Sequence, residues 1–106
     1  MTLAIAMAQV NPTVGDLAAN SELVLRNIEK AKAAGVDLIV FPEMVLTGYP
    51  VEDLALRQTF QTASKAAIQE LAKKVTGEIT AVVGYLDHDG KGPQNAVAII
   101  QNGEIK

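Results

Sequence analysis

Cysteine is absent from the 106-residue chain. That excludes disulfides, thiolate metal centres and a cysteine nucleophile among these residues. Tryptophan is missing too, and two phenylalanines with two tyrosines leave the core to aliphatic side chains and alanine. No apolar run approaches the roughly 20 residues that a membrane-spanning helix needs. No positively charged segment precedes an apolar one at the N-terminus, so the sequence does not read as a signal peptide. There is no basic stripe of the kind that meets nucleic acid; the one Lys-Lys pair, Lys73 and Lys74, falls on a predicted helix. Internal repeats, low-complexity tracts and linkers are lacking as well.

What remains is ordinary for a globular domain. Apolar residues make up 49% and charged residues 20%, with acids and bases interspersed to a net charge of −3. The length suits one small domain. The cytoplasm is the simplest compartment for such a chain.

The chain alternates strand and helix signals. Thr2 to Val10, "TLAIAMAQV", is an apolar run that ends at Asn11-Pro12 and predicts a strand leading into a loop. Asp16 is placed to cap a helix of about 18 residues, in which Leu17, Ser21, Val24, Ile28 and Ala31 recur at helical spacing. Glu22 and Arg26 fall four apart on its wet face, and Gly35 supplies the stop. Asp37 to Phe41 predicts a second strand, apolar on both faces as in a parallel strand covered on both sides. Strand, helix, strand is a βαβ unit with an expected right-handed crossover. Asp53 then caps a helix from Leu54 to Lys74, with the core stripe Ala67, Leu71, Val75 and a stop at Gly77. Ile79–Leu86 and Asn95–Gln101 predict two further strands around the turn "DHDGKGPQ". Asn102-Gly103 is a strong hairpin signal. Only Glu104, Ile105 and Lys106 follow it, fewer than the roughly five residues a returning strand usually has. The sequence therefore reads as the front piece of a longer protein.

Three side chains are candidates for chemistry. Glu43 lies two residues past the end of a predicted parallel strand, where ligands collect in α/β sheets. Pro42 fixes the backbone before it. Phe41, Met44, Val45 and Leu46 flank it, and partial desolvation would make it a better base. The ordinary reading, a loop glutamate facing water, stands beside that one and is favoured on position alone. Tyr49, in "TGYP", either lines a pocket or packs over the loop. His88, the single histidine, lies in "DHDG" and reads as part of a solvated turn, because adjacent turn residues rarely converge on one ion. Neither GxGxxG nor GxxxxGK[ST] occurs, so no phosphate cradle follows the first strand.

The order of these segments is informative. "AQVNPTVGD", a long helix, a strand ending in "FPE", then "LTGYPVEDLALR" resembles the nitrilase superfamily, the carbon–nitrogen hydrolases. "TGYPVEDL" is similar to the glutaminase domain that begins the glutamine-dependent NAD+ synthetases, and "VVGY", "QNAVAII" and "NGEI" fit the same order along the whole chain. The resemblance implies an α/β fold, the front portion of an α-β-β-α sandwich: a mixed sheet with two long helices packed on it. It implies a Glu-Lys-Cys site in which Glu43 is the general base, with Tyr49 shaping a glutamine pocket. It implies that no cofactor is held by these residues. ATP, Mg2+ and deamido-NAD+ belong to an absent synthetase domain that uses the released ammonia. Lys106 aligns as a surface residue ahead of the catalytic lysine. With one of three catalytic residues present, the chain alone is expected to hydrolyse no amide. A sandwich also lacks its second sheet here, so association with another copy, a homo-oligomer, is expected. Two alternatives remain: another nitrilase-type amidase acting on a small amide, and a non-catalytic α/β interaction module.

Overall fold

The element order is β1 (Ile5–Met7), α1 (Leu17–Ala33), β2 (Leu38–Val40), a 3-10 turn (Glu52–Leu56), α2 (Gln58–Lys73), β3 (Thr80–His88), β4 (Pro93–Gln101) and β5 (Glu104–Ile105). The computed structural model describes residues 2–89 and 91–106; Gly90, within the expected turn "DHDGKGPQ", lies outside the described residues. All five strands form one sheet in chain order. β1, β2 and β3 are mutually parallel, and β4 and β5 return antiparallel. This is the expected mixed sheet with two long helices.

Helix α1 forms where its caps and apolar stripe predict it. The Asp16 carboxylate accepts the Ala19 N–H at 3.0 Å. At the other end Gly35, with φ 77°, lets the Val36 N–H reach the Ala31 carbonyl at 3.0 Å and its own N–H reach Lys32 at 3.1 Å. That pattern is a Schellman cap, which satisfies two carbonyls the helix leaves open. The expected Glu22–Arg26 pair is not among the ion pairs of the described residues. Pairs form three apart instead, Glu29–Lys32 at 3.5 Å and Glu70–Lys73 at 3.1 Å.

The second helix departs from expectation. Asp53 does not cap it: Glu52 and Asp53 are exposed within the 3-10 turn, and α2 begins only at Gln58, with no side-chain cap. Arg57 between them is extended, with φ −86° and ψ 118°. The reason lies at Gln61. Its buried side chain takes the Ala55 carbonyl at 2.7 Å, a carbonyl that a continuous helix would have given to residue 59.

Strand lengths follow their neighbours rather than their own composition. β1 shrinks from the apolar run Thr2–Val10 to Ile5–Met7, because its one partner, β2, offers only Leu38–Val40 before Pro42 turns the chain. β3 and β4 grow, pairing continuously from Thr80↔Gln101 to His88↔Pro93. His88 therefore closes a strand rather than sitting in a turn. Asn102 and Gly103, with φ 52° and 81°, make the tight turn to β5, whose pairing is limited to Ile100↔Ile105 and Gln101↔Glu104.

Both helices pack on one face of the sheet. Val24, Ile28 and Ala31 from α1 and Ile68, Leu71 and Ala72 from α2 meet Ile39, Ala81, Val83, Ala98 and Ile100 from the strands. The alternate strand residues point the other way. Ile5 (55% exposed), Met7 (81%), Val97 (62%) and Ile99 (47%) stand on an uncovered face. The expectation that β2 is covered on both sides is thus corrected: Ile39 is buried, whereas Leu38 and Val40 are only half-buried.

Candidate active site

The chain leaving β2 continues beside β3. Phe41 N–H bonds the Val82 carbonyl at 2.9 Å and Leu46 N–H bonds the Gly84 carbonyl at 3.1 Å. Between these two rungs, Pro42, Glu43 and Met44 arch over the uncovered side of Gly84. A Cβ built on Gly84 would lie 2.6 Å from the Met44 nitrogen and 2.8 Å from the Pro42 oxygen, so only glycine admits the arch. Met44 takes the left-handed conformation, φ 56°. For a side chain of that size this conformation costs on the order of 1 kcal/mol or more, a strain found most often at functional sites.

That turn answers why one acid stands among so many apolar residues. Phe41, Met44, Val45 and Leu46 are buried and anchor the loop; Glu43 projects outward. Its neighbours in sequence therefore do not desolvate it: within this chain Glu43 is exposed, as the ordinary loop reading has it and against the reading that those neighbours tune it. It is held nonetheless. The Asn95 side-chain amide donates to Glu43 Oε1 at 2.7 Å from 52 residues away.

Glu43 borders a cleft of about 460 Å³ lined by Val10, Asn11, Pro12, Pro42, Glu43 and Tyr49. The site thus joins two loops, one after β1 and one after β2, at the carboxyl ends of parallel strands. Tyr49 is 68% exposed and lines this cleft rather than packing over its own loop. A larger cleft, about 610 Å³ beside Gly77, Glu78, Gln101, Asn102 and Lys106, lies at the opposite end of the sheet. Lys106 there is exposed and pairs with Glu104 at 3.1 Å, which agrees with its reading as a surface residue.

Two residues that the sequence did not flag build the cleft. Asn20 is almost fully buried on α1. Its amide donates to the Thr13 carbonyl at 2.8 Å and the Leu46 carbonyl at 2.9 Å, and its oxygen accepts the Thr13 N–H at 2.8 Å. One side chain thereby ties the first loop to the second. The loops also touch directly: Gly15 N–H bonds the Thr47 carbonyl at 2.8 Å, and a Cβ on Gly48 would lie 2.6 Å from the Val14 Cα. Gly84 is the other. A helical asparagine reads as wet-face polarity, and a strand glycine reads only as a place of close approach; the partner is invisible without the fold.

The perturbed ionisable groups lie on the helix side. Burial raises the Tyr85 hydroxyl above its ordinary pKa, and the Asp87 carboxylate beside it raises it further. Burial works against ionisation of Asp87 too, but the His88 N–H, the Tyr85 hydroxyl and Lys65, 3.6 Å away, outweigh it and hold the carboxyl below its usual range. This cluster pins α2 to β3 and is separate from the cleft. His88 joins the cluster only through its backbone N–H, which bonds the Asp87 side chain at 2.8 Å.

The carbon–nitrogen hydrolase pattern matches residues 4–106. The chain belongs to the carbon–nitrogen hydrolase family. Among curated relatives within it, the glutamine-dependent NAD+ synthetase of Thermotoga maritima is 38% identical over 104 residues, 97% of this chain and 18% of the relative. Among solved structures, a glutamine-dependent NAD+ synthetase from Cytophaga hutchinsonii superposes with a TM-score of 0.93 at 33% identity, over all of this chain and 18% of that one. An amidase from Nesterenkonia sp. shares the fold, with a TM-score of 0.74 at 20% identity over 98% of this chain and 40% of its own. This carbon–nitrogen hydrolase chain spans less than a fifth of the length of the synthetases it matches.

Proposed function

We propose that the chain forms the opening part of the glutamine-hydrolysing domain of a glutamine-dependent NAD+ synthetase, with Glu43 as its general base. The observation that carries this reading is the Glu43 arch. An acid is held by a distant strand amide, at the lip of a cleft, on the face of the sheet that the helices leave open. A thiol brought against that face would meet a fixed proton acceptor, which is what activates a sulfur nucleophile. The lysine and the cysteine come from residues beyond Lys106. Covering the open face with that further chain would also supply the desolvation that the Glu43 loop does not provide for itself.

In this reading glutamine enters the cleft past Tyr49. The thiol attacks the side-chain amide carbon as Glu43 takes its proton; the C–N bond breaks, that proton leaves on the amide nitrogen as ammonia, and a thioester remains, which water, deprotonated by Glu43, cleaves to glutamate and the free thiol. The ammonia serves the amidation of deamido-NAD+ in an ATP- and Mg2+-using synthetase domain. A cytoplasmic location belongs to the same proposal. No helix among the described residues is long and apolar enough to cross a membrane.

The test is glutamine hydrolysis by the full-length protein that carries this segment. Glu43→Gln is expected to lower turnover by roughly 100- to 10,000-fold, the usual contribution of a positioned base. The isolated 106-residue polypeptide is expected to release no ammonia from glutamine. Near-normal turnover by the Glu43→Gln protein would remove the base assignment. Hydrolysis of a small free amide without glutamine activity would favour the amidase alternative.

A further inference from the structure

β4 presents Asn95, Val97, Ile99 and Gln101 on the open face of the sheet, opposite Leu86, Gly84, Val82 and Thr80 of β3. Val97 and Ile99 are apolar and bare. Asn95 is the one residue of this row that reaches the Glu43 carboxylate, at 2.7 Å. Two details make the contact a built one. Asn95 sits two pairs along from the Gly84–Val97 pair, the next position on the same face, and Gly84 is where the Glu43 arch rests on the strand. The missing side chain at Gly84 brings the arch down to within reach of the neighbouring strand. Asn95 is also fixed by a continuous nine-pair ladder between β3 and β4, so its amide is anchored far more firmly than the loop it holds.

We infer that Asn95 is the positioning residue of the site: its amide fixes Glu43 Oε1 and so directs Oε2 toward the proton to be taken. The inference rests on Glu43 being the base. An unrestrained glutamate on an arch has several staggered side-chain arrangements, and only some face the cleft. A hydrogen bond to a charged acceptor is among the stronger kinds and selects one arrangement. No other side chain among the described residues is bonded or ion-paired to Glu43. β2 and β4 carry no ionisable side chain. On β3, Asp87 is engaged with Tyr85 and Lys65 on the helix side.

The experiment uses the full-length protein with glutamine as substrate, reading kcat, KM and thermal midpoint together. Asn95→Asp keeps the shape but replaces the donating amide with an acceptor; Asn95→Ala removes the donor without adding charge. Both are expected to lower kcat by about 10- to 100-fold, the loss of one charge-assisted hydrogen bond, with KM and the thermal midpoint near wild type. A merely structural asparagine would move the midpoint and tolerate the isosteric change. Unchanged kcat in both variants, or losses that track the midpoint, would overturn the inference. Glu43→Gln in the same assay separates the two levels. If it abolishes turnover while the Asn95 variants turn over normally, the positioning role alone falls. If it turns over normally, the base assignment falls with it.

Discussion

Asn20 does more to fix the cleft than any residue lining it. Its side chain satisfies three backbone groups of two loops while almost fully buried. Removing it strands the Leu46 carbonyl in the buried interior and frees both Thr13 backbone groups at a part-buried edge, and an unpaired buried group costs about 1–3 kcal/mol. Asn20→Ala is accordingly expected to destabilise the protein by roughly 2–4 kcal/mol, read as a lowered urea midpoint with an unchanged slope. A loss below about 0.5 kcal/mol would show that the loops hold each other without it. The place of Glu43 was legible in the sequence, because a strand end and a proline are local signals; position alone favoured a loop glutamate facing water, and its role as a base came only from the family resemblance. Asn20 and Asn95 were not legible. Their meaning lies in partners 26 and 52 residues away, and on a helix or a strand each reads as ordinary surface polarity.

Helix α1 and helix α2 show what local signals decide and where they stop. Asp16 sits outside α1 and caps it, so Asp16→Ala is expected to cost about 1 kcal/mol. Asp53 lies inside the 3-10 turn and caps nothing, so Asp53→Ala is expected to stay within about 0.5 kcal/mol. Parallel chemical unfolding of the two variants checks the pair, and equal losses would place a capping role back at Asp53. The stripe along α2 was legible from Ala67, Leu71 and Val75. Its late start was not, because it turns on a glutamine side chain outcompeting the backbone for the Ala55 carbonyl. Likewise β1 and β2 are short for a reason that lies between strands. Each pairs only as far as its neighbour extends before Pro42 diverts the chain.

At the level of the molecule, the sheet carries two apolar faces and the helices cover one. Alternating side chains made both faces visible in the sequence; which of them the helices would take was not. The polypeptide of 106 residues is therefore expected to bind a hydrophobic dye strongly and to sediment above its monomer mass of 11.2 kDa. A dye-silent monomer would mean that the open face closes in solution by rearrangement. Charging it, for example by Val97→Lys, is expected to reduce both signals. The double tether from α1 bears on how such a protein meets its ligands. The two rims of the cleft, bound to one asparagine and to each other, behave as a gauge of set width. They part only if the buried Asn20–Leu46 bond, or both Asn20–Thr13 bonds, break together with the direct Gly15–Thr47 bond. If the cleft takes the proposed substrate, selectivity on this side of the site is expected to be a matter of bore rather than of clasping, with molecules too broad for the gap turned away at the entrance.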